Sequence, residues 1–312
     1  MDGVAAYAAC EGERTLFSFK NSRSNAAAFW PICVLMVILG AAPDGLATNQ
    51  PVAVYSTKIA GLQVAVWIPH RSTPGPWPVI IFSHGFYGCN TQVSFLMRSL
   101  AGVGYAVFAP AHRDMDCSDP SVFEQKSIAS FATPGNWTDT KFADRARDIQ
   151  HLLDALAKDP RYRGSHFDAK HVGVIGHSLG GYTALSVAGA WPQLKDARVK
   201  AVLALSPFAL PFIRNKTLGG LDAAVMYQGG TRDGMTMFLK MPGGAYDQSP
   251  APKYFVEFDH VGHRGWTDDD VTQHEDIESY SEAFFDRYLK GKAIPSKLLK
   301  PYPGIDDLKL EQ

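Results

Sequence analysis

The chain has 312 residues, of which 46% are hydrophobic and 20% are charged, and its formal net charge at pH 7 is −1. These values are typical of a globular protein, and the balanced charge excludes nucleic acid and anionic membranes as expected partners. The sequence contains no internal repeat and no low-complexity segment, so solenoids and disordered tails are excluded as well.

The first 47 residues differ in character from the rest of the chain. Lys20 and Arg23 precede an uncharged run, 26–42, and Gly45-Leu46-Ala47 follows it. A basic lead, an apolar run and a small-x-small tripeptide are typical of a secretory signal peptide that is cleaved after Ala47. The alternative is an uncleaved anchor, because the uncharged stretch before Asp44 is close to the length that spans a bilayer. We expect a secreted or periplasmic protein without a stable membrane partner after cleavage.

Cleavage after Ala47 would leave two cysteines, Cys89 and Cys117. Each follows the end of a predicted strand, and we expect those two strands to be neighbours in the sheet. An even pair of cysteines in an oxidising compartment favours a disulfide bond between them, and two unpaired thiols are the alternative.

Residues 48–312 are predicted to form a single domain in which strands and helices alternate. Alternating hydrophobicity in 52–57 and 62–68, around Ala60-Gly61, predicts an antiparallel hairpin. Further strands are predicted at 78–83, 105–109, 171–175, 199–205, 223–227 and 253–258, with helices at 95–103, 141–157, 182–189 and 275–289. This order indicates the α/β class, with a mostly parallel central sheet and helices on both faces.

Two connections are long for a compact domain, namely 114–140 and 207–221. Loops at the carboxyl ends of parallel strands border the site where ligands bind. We therefore predict that these two insertions form lid loops over a site.

Gly176-His177-Ser178-Leu179-Gly180-Gly181 directly follows a predicted strand. Small residues at both ends of a G-x-S-x-G turn let the chain reverse sharply from strand to helix, which exposes the hydroxyl of Ser178. A serine in this position can attack a carbonyl carbon when a base and an oxyanion site lie nearby.

The base and the acid that such a serine needs follow it in chain order. Asp233 comes after the strand that ends at Tyr227, and His263 comes after the strand that ends at Phe258. The imidazole would accept the serine proton and the carboxylate would orient the imidazole. His260 is the alternative base, but Gly262 favours His263 because a glycine permits close approach to the sheet edge.

The oxyanion of a tetrahedral intermediate needs two fixed donors, and backbone N–H groups usually supply them. We predict one from Leu179, the residue after the serine, and one from Phe86 in the loop Ser83-His84-Gly85-Phe86. Around these positions Phe86, Tyr87, Phe208 and Trp266 are predicted to bind an apolar acyl or aryl group of the substrate.

The sequence implies no cofactor, and it supports no metal site. The run Asp268-Asp269-Asp270 could bind calcium, but we interpret it as a solvated acidic turn. His260 and His263 have the spacing of a metal-binding pair but lack a third ligand at regular spacing.

From Val52 to Leu289 the chain resembles the α/β-hydrolase fold. More narrowly, it resembles the platelet-activating-factor acetylhydrolases and the bacterial proteins called predicted dienelactone hydrolases. The matching stretches are 79–85, Ala111-His112-Arg113-Asp114, 172–185, and His263 with Trp266 and Asp268. Two departures stand out: the acetylhydrolases carry the acid after the sixth strand, where this chain has Ser206-Pro207-Phe208, and the dienelactone hydrolases use a cysteine at the position of Ser178.

The residues and the resemblance together predict a serine carboxylic-ester hydrolase that acts through an acyl-enzyme on a small or medium ester with an apolar group. The alternative within enzymes is a polyester or lipid-ester hydrolase of the acetylhydrolase, lipase or cutinase kind, so the expected partner is a small-molecule or polymeric ester. The alternative outside enzymes is a non-catalytic binding protein on the same fold. No feature of the sequence indicates an oligomeric state.

Overall fold

A computed structural model describes residues 51–70, 72–114, 131–162 and 166–312 of the chain, which all fall in one compact unit, Leu46–Gln312. The predicted signal peptide or anchor, residues 1–47, lies outside the described residues, and so does Cys117. Cleavage, the single domain over 48–312 and the pairing of Cys89 with Cys117 therefore stay predictions. Among the described residues, no helix has the length and hydrophobicity needed to cross a membrane.

The described strands form one mixed sheet. In chain order they are β1 (Ala53–Ile59), β2 (Leu62–Ile68), β3 (Trp77–Ser83), β4 (Ala106–Pro110), β5 (Phe167–His177), β6 (Val199–Leu205), β7 (Ala224–Gly230), β8 (Lys253–Phe258) and β9 (Ile305–Glu311). Their order across the sheet is β1-β2-β4-β3-β5-β6-β7-β8-β9. The six strands from β4 to β8 in this order run parallel, while β1, β2 and β9 are antiparallel to their neighbours. The predicted hairpin, the parallel centre and the adjacency of β3 and β4 are confirmed.

The helices of the described chain lie between these strands. They are α1 (Ser94–Gly102), α2 (Ala143–Lys158), α3 (Leu179–Leu185), α4 (Leu210–Asn215), α5 (Thr236–Lys240), α6 (Ala245–Gln248) and α7 (His274–Leu289). The four predicted helices correspond to α1, α2, α3 and α7. Three short helices, α4, α5 and α6, were not predicted, since none spans more than six residues and so none shows a helical period.

Side chains of β3 show why the sheet carries helices on both faces. Val79 and Ile81 pack in a core cluster with residues of α2 and α3, whereas Ile80 and Phe82 pack in a second cluster with residues of α1 and α7. Successive side chains of a strand point to opposite faces, so an unbroken apolar run is buried on both sides.

The end of the chain differs from the prediction that β8 is the last strand and α7 the closing helix. β9 follows α7 and pairs antiparallel with β8, with Tyr254 opposite Leu310. Charged residues at Asp306, Asp307 and Lys309 interrupt the apolar pattern, because one side of this edge strand faces solvent. Lys253 Nζ also pairs with Glu311 Oε2 across the two strands at 3.1 Å.

The described parts of the two long insertions pack against each other. In the second insertion, 207–221, Phe208 lies with its ring centroid 4.9 Å from that of Phe131 and 5.1 Å from that of Trp137, both in the first insertion. Asn215 Nδ2, at the end of α4, donates to the carbonyl of Trp137 at 3.2 Å. Residues 115–130 lie outside the described residues, and a lid role for either insertion stays a prediction.

Candidate active site

Ser178 lies at the sharp turn between β5 and α3. Its φ of 54° and ψ of −115° give it a strained backbone conformation that residues other than glycine rarely adopt. A Cβ atom on Gly176 would lie 2.0 Å from the carbonyl oxygen of Gly180, and one on Gly180 would lie 1.9 Å from that of Ser83. The turn is therefore possible only with glycine at both positions, and it holds the Ser178 hydroxyl at the carboxyl edge of the sheet.

Three distant side chains form one hydrogen-bonded chain at this edge. Ser178 Oγ lies 3.1 Å from His263 Nε2, and His263 Nδ1 lies 3.1 Å from Asp233 Oδ2. The imidazole is 41% exposed, whereas the carboxylate is almost completely buried. The structure thus brings together the three residues that the sequence predicted, each from a loop that follows a different parallel strand.

The surroundings of Asp233 keep its carboxylate ionised. Burial alone would raise the pKa of Asp233, but hydrogen bonds from His263, Ser206 and the N–H of Met235 outweigh it, so that the pKa lies below its usual value. The Met235 N–H donates to Oδ1 at 2.9 Å. An anionic carboxylate accepts from His263 Nδ1–H, which leaves Nε2 free to accept a proton from Ser178.

Ser206 also takes part in this chain, although sequence reasoning assigned it no role. Its hydroxyl donates to Asp233 Oδ2 and lies 2.8 Å from His263 Nδ1, from which it accepts. Ser206 has a φ of 42° at the end of β6, where the resemblance places the acid of the acetylhydrolases. That coincidence was the available signal that position 206 faces the histidine.

His260 occupies a different environment. Its side chain is 63% exposed, and its Nδ1 lies 2.6 Å from Asp259 Oδ1. Of the two histidines considered from sequence, the structure brings His263 to Ser178.

Both predicted oxyanion donors lie beside the serine. Leu179 follows Ser178 directly at the start of α3, and Phe86 borders the same cavities as Ser178. A Cβ atom on Gly85 would lie 3.5 Å from the Ser178 Cβ, so the loop passes close to the serine. The Gly85 N–H is itself occupied, because it donates to Gln92 Oε1 at 2.8 Å.

Gln92 and His177 connect the Phe86 loop to the His263 loop. Gln92 Nε2 lies 3.3 Å from His177 Nδ1, and His177 Nε2 lies 2.9 Å from the carbonyl oxygen of His263. Burial lowers the pKa of His177 to about 4, so this histidine is neutral at pH 7, with Nε2 donating and Nδ1 accepting. We name this Gln92–His177 link the loop bridge; no sequence pattern identified it.

Two cavities meet at Ser178, His263 and Phe86. The aromatic cavity, about 740 Å³, is lined otherwise by Phe131, Phe208, Leu210, Asp233, Gly234, Met235 and Phe238. The polar cavity, about 520 Å³, is lined otherwise by Tyr87, Gly88, Cys89, Thr91, Gln92, His177, Arg264, Thr267, Asp268 and Asp269. A nucleophile at the junction of two unlike cavities can act on a substrate with two unlike halves.

Comparison with known proteins identifies the family. The family model described as chlorophyllase matches residues 43–217, which is more than half of the 312 residues. The chain belongs to the chlorophyllase family. Together with the mostly parallel nine-stranded sheet, this match confirms the predicted α/β-hydrolase fold.

Relatives of this chlorophyllase-family chain carry hydrolase names. A platelet-activating factor acetylhydrolase from Bos taurus is 25% identical over 47% of the chain, and the match spans only 38% of the bovine protein. Chlorophyllase type 0 from Chenopodium album is 26% identical over 55% of the chain and 46% of its own length. A bis(hydroxyethyl) terephthalate hydrolase from Streptomyces coelicolor is 21% identical over 82% of the chain and 74% of its own length.

The predicted substrate-binding residues of the chlorophyllase-family chain take different positions. Phe86 borders both cavities, Phe208 lines the aromatic cavity and Tyr87 lines the polar cavity. Trp266, in contrast, is fully buried, and its indole N–H donates to Gln228 Oε1 at 3.1 Å. The structure therefore places Trp266 in the core beneath the His263 loop and corrects the prediction that it contacts substrate.

Two carboxylates of the acidic run after Trp266, those of Asp268 and Asp269, already bond to other groups of the protein. Asp268 accepts from the N–H groups of Ser94 and Phe95 and so caps α1, while Asp269 pairs with Arg264. Among the described residues, no cluster of three or more histidine, cysteine, aspartate or glutamate side chains has a metal-binding arrangement.

A second chain of serine, histidine and aspartate lies behind the Phe86 loop. Ser83 Oγ lies 2.8 Å from His112 Nε2, and His112 Nδ1 lies 3.2 Å from Asp148 Oδ2. All three residues are buried. Burial and the neighbouring charge of Arg145 hold the pKa of His112 well below its usual value, so the imidazole is neutral. We call this the buried chain.

Arg145 ties the buried chain to the Phe86 loop. Its Nη1 donates to the carbonyl oxygen of His84 at 2.6 Å, and its Nε donates to Asp114 at 2.7 Å. The N–H of His112 donates to His84 Nε2 at 3.2 Å. The sequence stretch Ala111-His112-Arg113-Asp114 thus supports the loop that carries Phe86, a role that the motif alone did not indicate.

Proposed function

We propose that this chlorophyllase-family protein is a serine carboxylic-ester hydrolase. The observation that carries the proposal is the continuous hydrogen-bonded chain from Ser178 through His263 to Asp233, which ends at the junction of two cavities. The names of its relatives support the same chemistry, since acetylhydrolase and terephthalate hydrolase both denote ester cleavage.

In the first half-reaction Ser178 Oγ bonds to the ester carbonyl carbon while its proton passes to His263 Nε2. The carbonyl oxygen becomes an oxyanion, which the N–H groups of Phe86 and Leu179 stabilise. Asp233 and Ser206 hold the imidazole through Nδ1 and stabilise its positive charge. The bond to the alcohol oxygen then breaks, and that oxygen leaves with the proton from His263.

In the second half-reaction water replaces the alcohol. It gives one proton to His263 Nε2, and its oxygen bonds to the acyl carbon. The bond between that carbon and Ser178 Oγ breaks, the proton returns to Oγ, and a carboxylic acid is released. Atoms and charge balance without any cofactor.

The aromatic cavity suits an apolar acyl group. Phe131, Phe208 and Phe238 would cover a ring or a short alkyl chain, and burial of that surface favours binding by about 25 cal/mol per Å². A polyester or lipid ester is the second candidate substrate, because a relative that matches 82% of the chain is named for bis(hydroxyethyl) terephthalate, an aromatic diester.

We also propose that the protein is exported from the cytoplasm. The basic lead, the apolar run and Gly45-Leu46-Ala47 support a signal peptide. A disulfide bond of Cys89 with Cys117 is part of this proposal, since such a bond persists in an oxidising compartment.

A panel of p-nitrophenyl esters from acetate to palmitate tests the function. Wild-type protein is expected to hydrolyse the shorter esters best, and Ser178→Ala is expected to lose at least about a thousandfold in kcat, since a triad serine accounts for about a millionfold. Ser296→Ala removes an exposed hydroxyl that bonds Tyr302 and is the matched control, with unchanged rates.

A fluorophosphonate probe gives an independent measurement on the same proteins. It should add its mass to Ser178 in the wild type and leave Ser178→Ala unmodified. Equal turnover by the wild type and Ser178→Ala would exclude Ser178 as the nucleophile. A wild type that neither reacts with the probe nor cleaves any ester would instead favour a non-catalytic binding protein.

A further inference from the structure

The two cavities at Ser178 are not equivalent for the two halves of an ester. Deacylation requires water beside His263 Nε2, at the place that the alcohol oxygen has just left. Charged and amide groups hold ordered water by hydrogen bonds, whereas aromatic side chains offer a water molecule few hydrogen-bonding partners. The polar cavity therefore suits the alcohol half of the ester, whose place the water molecule takes. The aromatic cavity is left for the acyl half, which needs no water around it.

We infer that the polar cavity binds the alcohol half of the substrate and selects short alcohols that carry a hydroxyl group, with Arg264 as the specificity-determining residue. This inference rests on the proposed ester hydrolysis and assigns its substrate class. A long alkyl alcohol would strip water from charged groups at this position without replacing their hydrogen bonds, which is unfavourable.

Arg264 is assigned this role because other polar groups of the cavity already have partners. The Asp268 carboxylate caps α1, the Thr267 hydroxyl donates to the carbonyl of Arg264, and Gln92 is engaged at both ends of its amide. The Arg264 guanidinium bonds Asp269 through Nη2 and has further N–H donors.

The Arg264–Asp269 pair also lies where a substrate can reach it. The side chains are 72% and 65% exposed, and both line the cavity that contains Ser178. An exposed ion pair contributes little to stability, so it can exchange a water molecule for a substrate hydroxyl at small cost. A guanidinium N–H that donates to the hydroxyl oxygen, with the hydroxyl donating to the Asp269 carboxylate, would satisfy both groups.

Two isosteric ester pairs test the assignment. The first pair, 2-hydroxyethyl benzoate and propyl benzoate, differs by one hydroxyl on the alcohol side. We expect wild-type protein to favour the hydroxyethyl ester roughly tenfold in kcat/KM, the effect of one hydrogen bond to a charged group. The second pair, phenyl 3-hydroxypropanoate and phenyl butanoate, carries the same change on the acyl side, and no preference for the hydroxyl is expected there.

Variants of Arg264 test whether this residue causes the preference for the hydroxyethyl ester. Arg264→Met is expected to bring the hydroxyethyl-to-propyl ratio close to one, and Arg264→Lys, which keeps a charged donor, should retain part of it. Arg147→Met is the matched control, since Arg147 is another exposed arginine paired with an aspartate, at 2.9 Å from Asp144, but lies on α2 outside both cavities. Its ratio should equal that of the wild type.

The outcomes separate this inference from the proposed function. Equal rates within the first pair, or a preference that survives in Arg264→Met, would overturn the inference while ester hydrolysis stands. A hydroxyl preference in the second pair instead of the first would place the acyl half in the polar cavity and also overturn it. Failure to hydrolyse any of the four esters, with no reaction of the fluorophosphonate probe, would refute the proposed function itself.

Discussion

The chain from Ser178 through His263 to Asp233 and the buried chain from Ser83 through His112 to Asp148 use the same three residue types at similar distances. Serine–histidine separations are 3.1 and 2.8 Å, and histidine–aspartate separations are 3.1 and 3.2 Å. The His263 side chain is 41% exposed and borders two cavities, whereas the His112 side chain is completely buried. Hydrogen-bond geometry alone therefore does not define a reactive site.

The backbone explains much of this difference. Ser83 is the last residue of β3 and points into the protein, while Ser178 occupies a strained turn with positive φ that directs its hydroxyl outward. Such a conformation costs of order 1–3 kcal/mol, which the surrounding packing must offset. Ser83 does not need a strained backbone, because its hydroxyl is not presented to a cavity. The buried chain instead holds the loop around Phe86 in place.

Substitution of the two aspartates should give the largest contrast. Asp233→Asn is expected to lower kcat by about 10⁴, because the amide favours the wrong imidazole tautomer. Asp148→Asn should instead lower the free energy of unfolding by about 1–3 kcal/mol, because it weakens buried hydrogen bonds, and leave kcat within about tenfold of the wild type. Ester kinetics and denaturant unfolding of both variants measure the two effects. Comparable losses of kcat would show that the two chains are not functionally distinct.

The positions of Ser178, Asp233 and His263 could be predicted from sequence because each depends on a local pattern and one general rule. The glycines around Ser178 predict the turn, and unbroken apolar runs predict parallel strands. The carboxyl ends of parallel strands meet at one edge of a sheet, so residues that follow β5, β7 and β8 must lie close together.

Ser206, Gln92 and Trp266 show where such prediction fails. The bond from Gln92 to His177 joins residues 85 positions apart, and the bond from Ser206 to His263 joins residues 57 apart. Contacts between loops follow no period, and a polar residue in a loop gives no sign of its partner. For the same reason the sequence could not show that Trp266 points into the core rather than into a cavity.

Gln92 connects the two hydrogen-bonded chains. Through His177 it reaches the loop of His263, and through Gly85 it holds the Phe86 loop, which the buried chain supports from the other side. Gln92→Leu leaves the Gly85 N–H without its acceptor and is expected to lower kcat about tenfold with a smaller change in KM, since oxyanion donors act mainly in the transition state. Gln92→Glu keeps that acceptor and should lose less. Gln150 lies on α2 and donates to the carbonyl oxygen of Leu194. Gln150→Leu removes that bond, is the control, and should retain wild-type kinetics. A Gln92→Leu variant with unchanged kcat would show that the loop bridge has no part in positioning Phe86.

The histidine of the buried chain, His112, should make the free energy of unfolding depend on pH. His112 has a pKa well below 6.5 in the folded protein, because burial and Arg145 disfavour its charged form. Below pH 6.5 the unfolded chain therefore binds a proton that the folded chain does not, and the free energy of unfolding decreases as the pH falls, by up to about 1.4 kcal/mol per pH unit for each such histidine. His84 and His177 act in the same direction. When the free energy of urea unfolding is plotted against pH between pH 7 and pH 5, its slope should be smaller by about this amount in His112→Gln than in the wild type. The slope depends on protonation and not on how much stability His112→Gln loses at pH 7, so an unaltered slope in that variant would show that His112 is not held neutral by the fold.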